Sequence, residues 1–189
     1  MKYIKTVLLL TTLMILSACT GSSNYYVLSM AQQPASVYTG KNRVMGVEKV
    51  LVPAYLYKRE LAIAKSASQI TLLGSAKWGE DMDEGLTNRL ISFLQKKFRE
   101  PRVYAYPWDT GKQPDIKIKV QISRFIAQGD RVYLDANWEV ESLSTDRTRS
   151  RLFNTSVPAA AGNAESVVNA MDAAFRQLEE SIASGVKSF

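Results

Sequence analysis

The side chains able to do chemistry in this sequence are few: one thiol, Cys19, an acidic run of Glu80, Asp81, Asp83 and Glu84, and an arginine series at Arg147, Arg149 and Arg151. The chain has no histidine, which removes Ser/His/Asp and Cys/His nucleophiles, imidazole metal sites and the usual general base near neutral pH. A lone cysteine makes neither an intrachain disulfide nor a thiolate-rich zinc or iron–sulfur centre. Carboxylates crowded into what reads as a first helical turn are solvated dipole partners before they are a metal or acid/base site. No catalytic residue, metal ligand or free cofactor is expected, and the chain is not expected to be an enzyme.

The thiol is the exception. Lys2 and Lys5 precede an apolar stretch, Val7 to Leu16, interrupted by Thr11 and Thr12. About ten helical residues cover about 15 Å, half of a hydrocarbon core about 30 Å thick, so the stretch is a signal-peptide apolar region and not a permanent span. Leu16, Ser17, Ala18 and Cys19 resemble the bacterial lipobox, in which the thiol receives a diacylglyceryl group, the peptide is cut before the cysteine, and the new amine is acylated. A cysteine incidental to a plain secretory cleavage site is the competing reading. The lipobox reading divides the chain into a removed signal peptide, 1–18, a lipidated Cys19 with a short tether, 19–24, and a single periplasmic domain, 25–189. Acyl chains contribute about 0.8 kcal/mol per buried methylene, so two or three anchor a protein essentially permanently. Thr20 stands where an aspartate would favour retention at the inner membrane, which points to the outer membrane with the domain facing the periplasm.

Loss of Lys2 and Lys5 lowers the formal charge of +6 by two. That excess suits an anionic membrane surface, and without a basic run interleaved with aromatics no nucleic-acid partner is expected. A domain of this size buries roughly 70% of its unfolded surface and needs no disulfide. Thr20 to Asn24 are small or polar and span at most about 18 Å, so the folded body is held close to the membrane.

The elements that carry these groups follow from periodicity. Tyr25–Leu28 and Val44–Val52 read as strands, the second ended by Pro53, and Leu61–Lys65 with Gln69–Leu73 as a hairpin. Leu86, Leu90, Phe93, Leu94 and Phe98 lie at helical spacing, with acids opening the segment and Lys96, Lys97 and Arg99 closing it before Pro101. Asp115–Ala127 and Arg131–Ser142 flank a Gly129-Asp130 turn, and each alternates apolar with polar side chains.

The alternation of those two arms stays in phase only if one extra residue near Ser123 or Arg124 is bulged out, which opposes Ile122 to Ala136, Val120 to Trp138 and Ile118 to Val140. Lys119 then faces Glu139 and Lys117 faces Glu141, and a return strand is expected to bring Arg147 and Arg149 beside the same glutamates. That ladder competes with a headgroup or phosphate site for the arginines. A last helix, about 164–187 with Asn163 as N-cap, carries the stripe Val167, Val168, Met171, Ala174, Phe175, Leu178 and Ile182. The expected fold is α+β, a two-layer sandwich whose mainly antiparallel sheet of about eight strands is covered by two amphipathic helices.

Three stretches carry a family resemblance: Tyr25-Tyr26-Val27-Leu28 just past the anchor, Val50-Leu51-Val52-Pro53-Ala54-Tyr55-Leu56, and Trp78-Gly79-Glu80-Asp81-Met82 leading into the first helix. In this order they resemble the PqiC-type, or ABC-transport auxiliary, lipoproteins of Gram-negative envelopes. The sequence departs from that pattern at Tyr57 and Lys58, where the family often has Asp-Arg, and at Asp81 and Met82, where Pro-Leu is common. The resemblance implies an outer-membrane lipoprotein of an intermembrane lipid transport system that contributes to membrane integrity. Its implied partners are an MCE-domain protein forming a tunnel across the periplasm and that protein's inner-membrane partner. Diacylglyceryl and N-acyl groups on Cys19 are the only non-protein chemistry implied. A ring-like homo-oligomer would suit the capping of a tube, and Tyr55, Leu56 and Tyr57 are the contact candidates, against a reading in which they pack at a strand end. A lipid-binding carrier module and an outer-membrane or peptidoglycan assembly lipoprotein are the alternatives.

Overall fold

In the computed structural model residues 23–28, 31–39, 42–108, 111 and 113–189 are described. The expected signal peptide and the expected lipobox, Leu16-Ser17-Ala18 with Cys19, lie outside the described residues. In chain order the elements are β1 (Asn24–Tyr26), β2 (Met45–Val47), a 3-10 turn (Ala54–Tyr57), β3 (Glu60–Ala64), β4 (Ile70–Trp78), α1 (Met82–Phe98), β5 (Val103–Ala105), β6 (Ile116–Gln128), β7 (Arg131–Ser142), β8 (Arg147–Pro158) and α2 (Ala164–Lys187).

Period-two alternation builds the centre. β6 and β7 pair antiparallel around Gly129, whose φ of 62° suits the tight turn. The register shifts between Ile122 and Arg124, leaving Ser123 bulged, and Ile122 faces Ala136, Val120 faces Trp138 and Ile118 faces Val140 as the alternation requires. β8 adds antiparallel to the far side of β7.

The other edge of β6 is shared by two sub-sheets. β2 runs parallel to its beginning, Met45 opposite Ile116, and carries β5 outside it. Leu51 bridges to Gln121 midway. β3 runs parallel to the end of β6, Ala64 opposite Gln128, and pairs antiparallel with β4, which carries β1 parallel on its outer side. The eight-stranded sheet is therefore mixed, with long antiparallel ladders and short parallel ones, and the α+β fold is as the pattern demands.

Both helices cover one face. In α2 the Asn163 side chain caps Ser166 N–H at 2.9 Å, and Val167, Met171, Ala174, Phe175, Leu178 and Ile182 are all buried. α1 buries Leu86, Leu90, Phe93 and Leu94 and ends at Arg99, whose φ of 50° turns the chain out of the helix. Phe125 and Phe175 meet across the layers, ring centroids 6.5 Å apart, and the space between sheet and helices is filled by side chains.

The sheet has two distinct ends. At one lie the β3–β4 turn, the β6–β7 turn and residue Ala159, whose N–H donates to Asp130 O at 2.8 Å. At the other lie the turn after Ser142, Asp115, and a cleft of about 430 Å³ lined by Tyr38, Arg43, Phe98, Lys187 and Phe189.

Candidate contact and anchoring surfaces

The three stretches that carry the family resemblance are far apart in sequence and meet in space. Tyr26 lies opposite Trp78 in the β1–β4 ladder, and Gly79 N–H donates to Tyr26 O at 2.7 Å. Trp78 is buried and opens the approach to α1. Val50 N–H donates to Thr87 Oγ1 of α1 at 2.9 Å, and that hydroxyl donates to Asp83 O at 2.6 Å. These residues hold β1, the segment before the 3-10 turn, and α1 together.

The contact candidates divide accordingly. Leu56 is buried in the core. The Tyr55 hydroxyl accepts a hydrogen bond from Phe125 N–H at 2.8 Å, just past the bulge, and burial pushes its pKa above the usual phenol value. Tyr57 alone of the three is mostly exposed, and Leu51 nearby is exposed as well. A partner meeting this segment would meet Tyr57 and Leu51, with Tyr55 setting the backbone behind them.

The acidic run is not a uniform solvated cluster. Asp83 is buried and pairs with Lys49 Nζ at 2.8 Å. Glu80 is raised above its ordinary value by burial and by the neighbouring Glu84 charge. Among the described residues no group of three or more carboxylate, thiol or imidazole side chains converges as a metal site would require.

The arginine series departs from the expected ladder. Ser142 pairs with Arg147, so Glu141 faces Thr148, Glu139 faces Ser150, and Arg149 and Arg151 stand opposite Val140 and Trp138. Parity thus places all three arginines on the helix side of the sheet, at the uncovered beginning of its edge strand. The lysines keep the expected register, opposite Glu139 and Glu141, but only one of the two ion pairs forms there: Lys119 Nζ lies 3.0 Å from Glu139, while Lys117 Nζ turns to Glu48 at 3.1 Å. Arg147 instead lies over the Phe189 ring, 5.1 Å from its centroid. Among the described residues no glutamate stands opposite Arg149 or Arg151, and both are exposed.

A buried ionic group between the helices has no counterpart in the expectations. Arg89 is 4% exposed. Its Nε and Nη2 reach the two oxygens of Glu179 at 3.2 and 3.3 Å, its Nη1 bonds Asp172 Oδ1, and its Nη2 also donates to Asp172 O at 3.1 Å. Burial drives the Glu179 carboxyl up to about 7 against the opposing pull of Arg89. Closer by, Lys97 reaches Glu180 at 2.7 Å and Ser36 at 3.2 Å. The available signal was a charge inside each apolar stripe, Arg89 beside Leu90 and Glu179 beside Leu178. Arg89, on α1, thus bonds Asp172 and Glu179, both on α2, and fastens the two helices together.

Residues 26–183 match the family described as the ABC-type transport auxiliary lipoprotein component. No curated protein matches the chain. Among solved structures, an uncharacterized protein is 20% identical with a TM-score of 0.70, covering 87% of this chain and 99% of its own. Protein XCC0632 from Xanthomonas campestris is 14% identical with a TM-score of 0.72, covering 85% of this chain and 92% of its own. At these identities the two structures bear on the fold alone.

Proposed function

The chain belongs to the ABC-type transport auxiliary lipoprotein family, and from that membership we propose that it is the outer-membrane subunit of an MCE-type, Pqi-like intermembrane lipid transport system. In this reading diacylglyceryl and N-acyl groups on Cys19 hold the domain against the inner leaflet. There it docks the distal end of the periplasm-spanning tunnel and so supports membrane integrity. It does no chemistry of its own.

The observation that carries the docking reading is the incorporation of β1 into the sheet. Pairing of Asn24–Tyr26 with Ala76–Trp78 fixes where the tether leaves the domain, and Cys19 is then about four residues, at most about 14 Å, from Ser23. A body on so short a lead works at fixed height and cannot cross the periplasm. The carrier reading calls for a large apolar cavity between sheet and helices, and that space is occupied by Phe125, Trp138, Phe175 and their neighbours. A ring of copies around the tunnel mouth would multiply weak contacts through effective concentration.

In-envelope crosslinking of the full lipoprotein followed by mass spectrometry tests the proposal. Recovery of an MCE-domain protein is the expected result. Recovery of a β-barrel assembly protein or wall fragments in its place would overturn it in favour of an assembly role.

A further inference from the structure

We propose that the β3–β4 hairpin is a second membrane contact, its turn seated in the headgroup layer of the same leaflet that holds the Cys19 acyl chains. The inference rests on the anchor reading above and adds to it a surface of the folded domain.

Direction is the first argument. β1 runs parallel to β4, with Asn24 opposite Ala76, and Ser23 Oγ donates to Gly74 O at 3.3 Å. Going from Asn24 toward the amino terminus therefore means going along β4 toward Ile70 and the turn beyond it. The backbone at Ser23 is directed toward the hairpin tip.

Length is the second. Cys19 lies at most about 14 Å beyond Ser23. The hairpin continues past Gly74 by about four residues of strand, about 13 Å at about 3.3 Å per residue, and then by the turn at Lys65–Gln69. A leaflet within reach of the anchor is within reach of the turn, so the two meet the same surface.

Composition is the third. In a chain that is 22% charged, Lys65 is the single charged residue from Leu61 to Ala76. Ile70 is 46% and Leu72 is 42% exposed. Pairing of Ala62 with Leu72 and Ala64 with Ile70 places them on the sheet face away from the helices, beside the buried Ile126. An isolated exposed aliphatic residue means nothing. A pair of them on a hairpin that has no acidic group beyond Glu60 at its base, ending in a lysine, a serine pair and a glutamine beside a lipid anchor, fits an interface of anionic headgroups over hydrocarbon. Two points of contact would also fix the domain's orientation and turn the Phe189 end away from the membrane.

The test uses the acylated, full lipoprotein with Ala67→Cys. Because acylation consumes the Cys19 thiol, residue 67 becomes the one labelling site for an environment-sensitive fluorophore. In vesicles of phosphatidylethanolamine and phosphatidylglycerol carrying a nitroxide lipid, quenching at position 67 is expected to exceed that at Ser144→Cys, at the opposite end, at least about threefold. An Ile70→Ser/Leu72→Ser pair, with its unfolding midpoint checked, should bring the two sites to the same level while the protein still floats with vesicles. Equal quenching at 67 and 144 in the parent, or undiminished quenching in the double variant, overturns the proposal. Protection of position 67 that persists in detergent and rises with protein concentration would assign the hairpin to a second copy of the chain and also overturn it. Labelling of the unsubstituted chain would reveal a free Cys19 and overturn the anchor, and the hairpin contact with it.

Discussion

The indole of Trp138 occupies the space that a side chain at Gly185 would need: a Cβ there would stand 2.6 Å from two ring carbons. The ring cannot step aside, because it is 1% exposed and its Nε1–H is held by Ser181 Oγ at 3.0 Å. The close approach of α2 to β7 depends on that missing methyl.

Gly185→Ala is therefore expected to destabilise the domain by about 1–3 kcal/mol of overpacking, offset in part by the roughly 0.5–1 kcal/mol that alanine gains in a helix. A urea midpoint of detergent-solubilised protein measures the net loss. A rise in the midpoint would show that α2 can lift from the sheet without cost.

The Arg89 network gives a pH signature. Glu179 titrates near 7 in the folded domain against an ordinary 4.5, so the folded state holds the proton that the unfolded chain has released. Stability contributed by this group is full below about pH 4.5 and declines as pH rises to about 7. Glu179→Gln should flatten the stability profile across that window, measured by unfolding at several pH values. Arg89→Ala, which leaves buried carboxylates without a counter-charge, should cost about 3–5 kcal/mol.

Cys19→Ser removes the one proposed acyl acceptor. The variant is expected to leave the outer-membrane fraction and to appear soluble or uncleaved, with a mass lacking the acyl groups. Normal recovery in the membrane at unchanged mass would refute lipidation.

Fixed-height docking is sensitive to tether length. Insertion of about twenty Gly and Ser residues after Thr20 adds a mean reach of roughly 25 Å and dilutes the domain at its docking site. The long-tether form should remain folded and lipidated yet fail to rescue the envelope-stress sensitivity of a deletion strain, with abundance checked by blot. Full rescue would favour a mobile carrier.

Local pattern made the two helices, the β6–β7 hairpin and the Ser123 bulge legible, because a one-residue slip would have moved every inward side chain of one arm to the solvent face. The β3–β4 hairpin was legible too, but the parallel pairings of β1 with β4 and of β2 and β3 with β6 were not placed, since pairing between distant short strands leaves no periodic trace. The arginine series was misplaced by one residue: the turn between Ser142 and Arg147, with Asp146 at a φ of 52°, sets parity by its length, which charge pairing alone does not reveal. The Arg89–Glu179 pair was passed over because an apolar stripe was read without asking what the charges inside it would face. Of the contact candidates, burial separates Leu56 from Tyr57, a distinction that depends on how the 3-10 turn sits against β6.

β8 borders the sheet with a strand 12 residues long, and among the described residues no strand pairs with its outer side. Such a border is a template on which another copy could extend the sheet without end. Arg147, Arg149 and Arg151 act as gatekeepers along its first half, since two such borders brought together there would set cation against cation. Copies crowded together would then resist fibril-like stacking through that half. Along β8, any pairing between copies is left to the neutral stretch from Leu152 to Pro158, where no such repulsion stands guard.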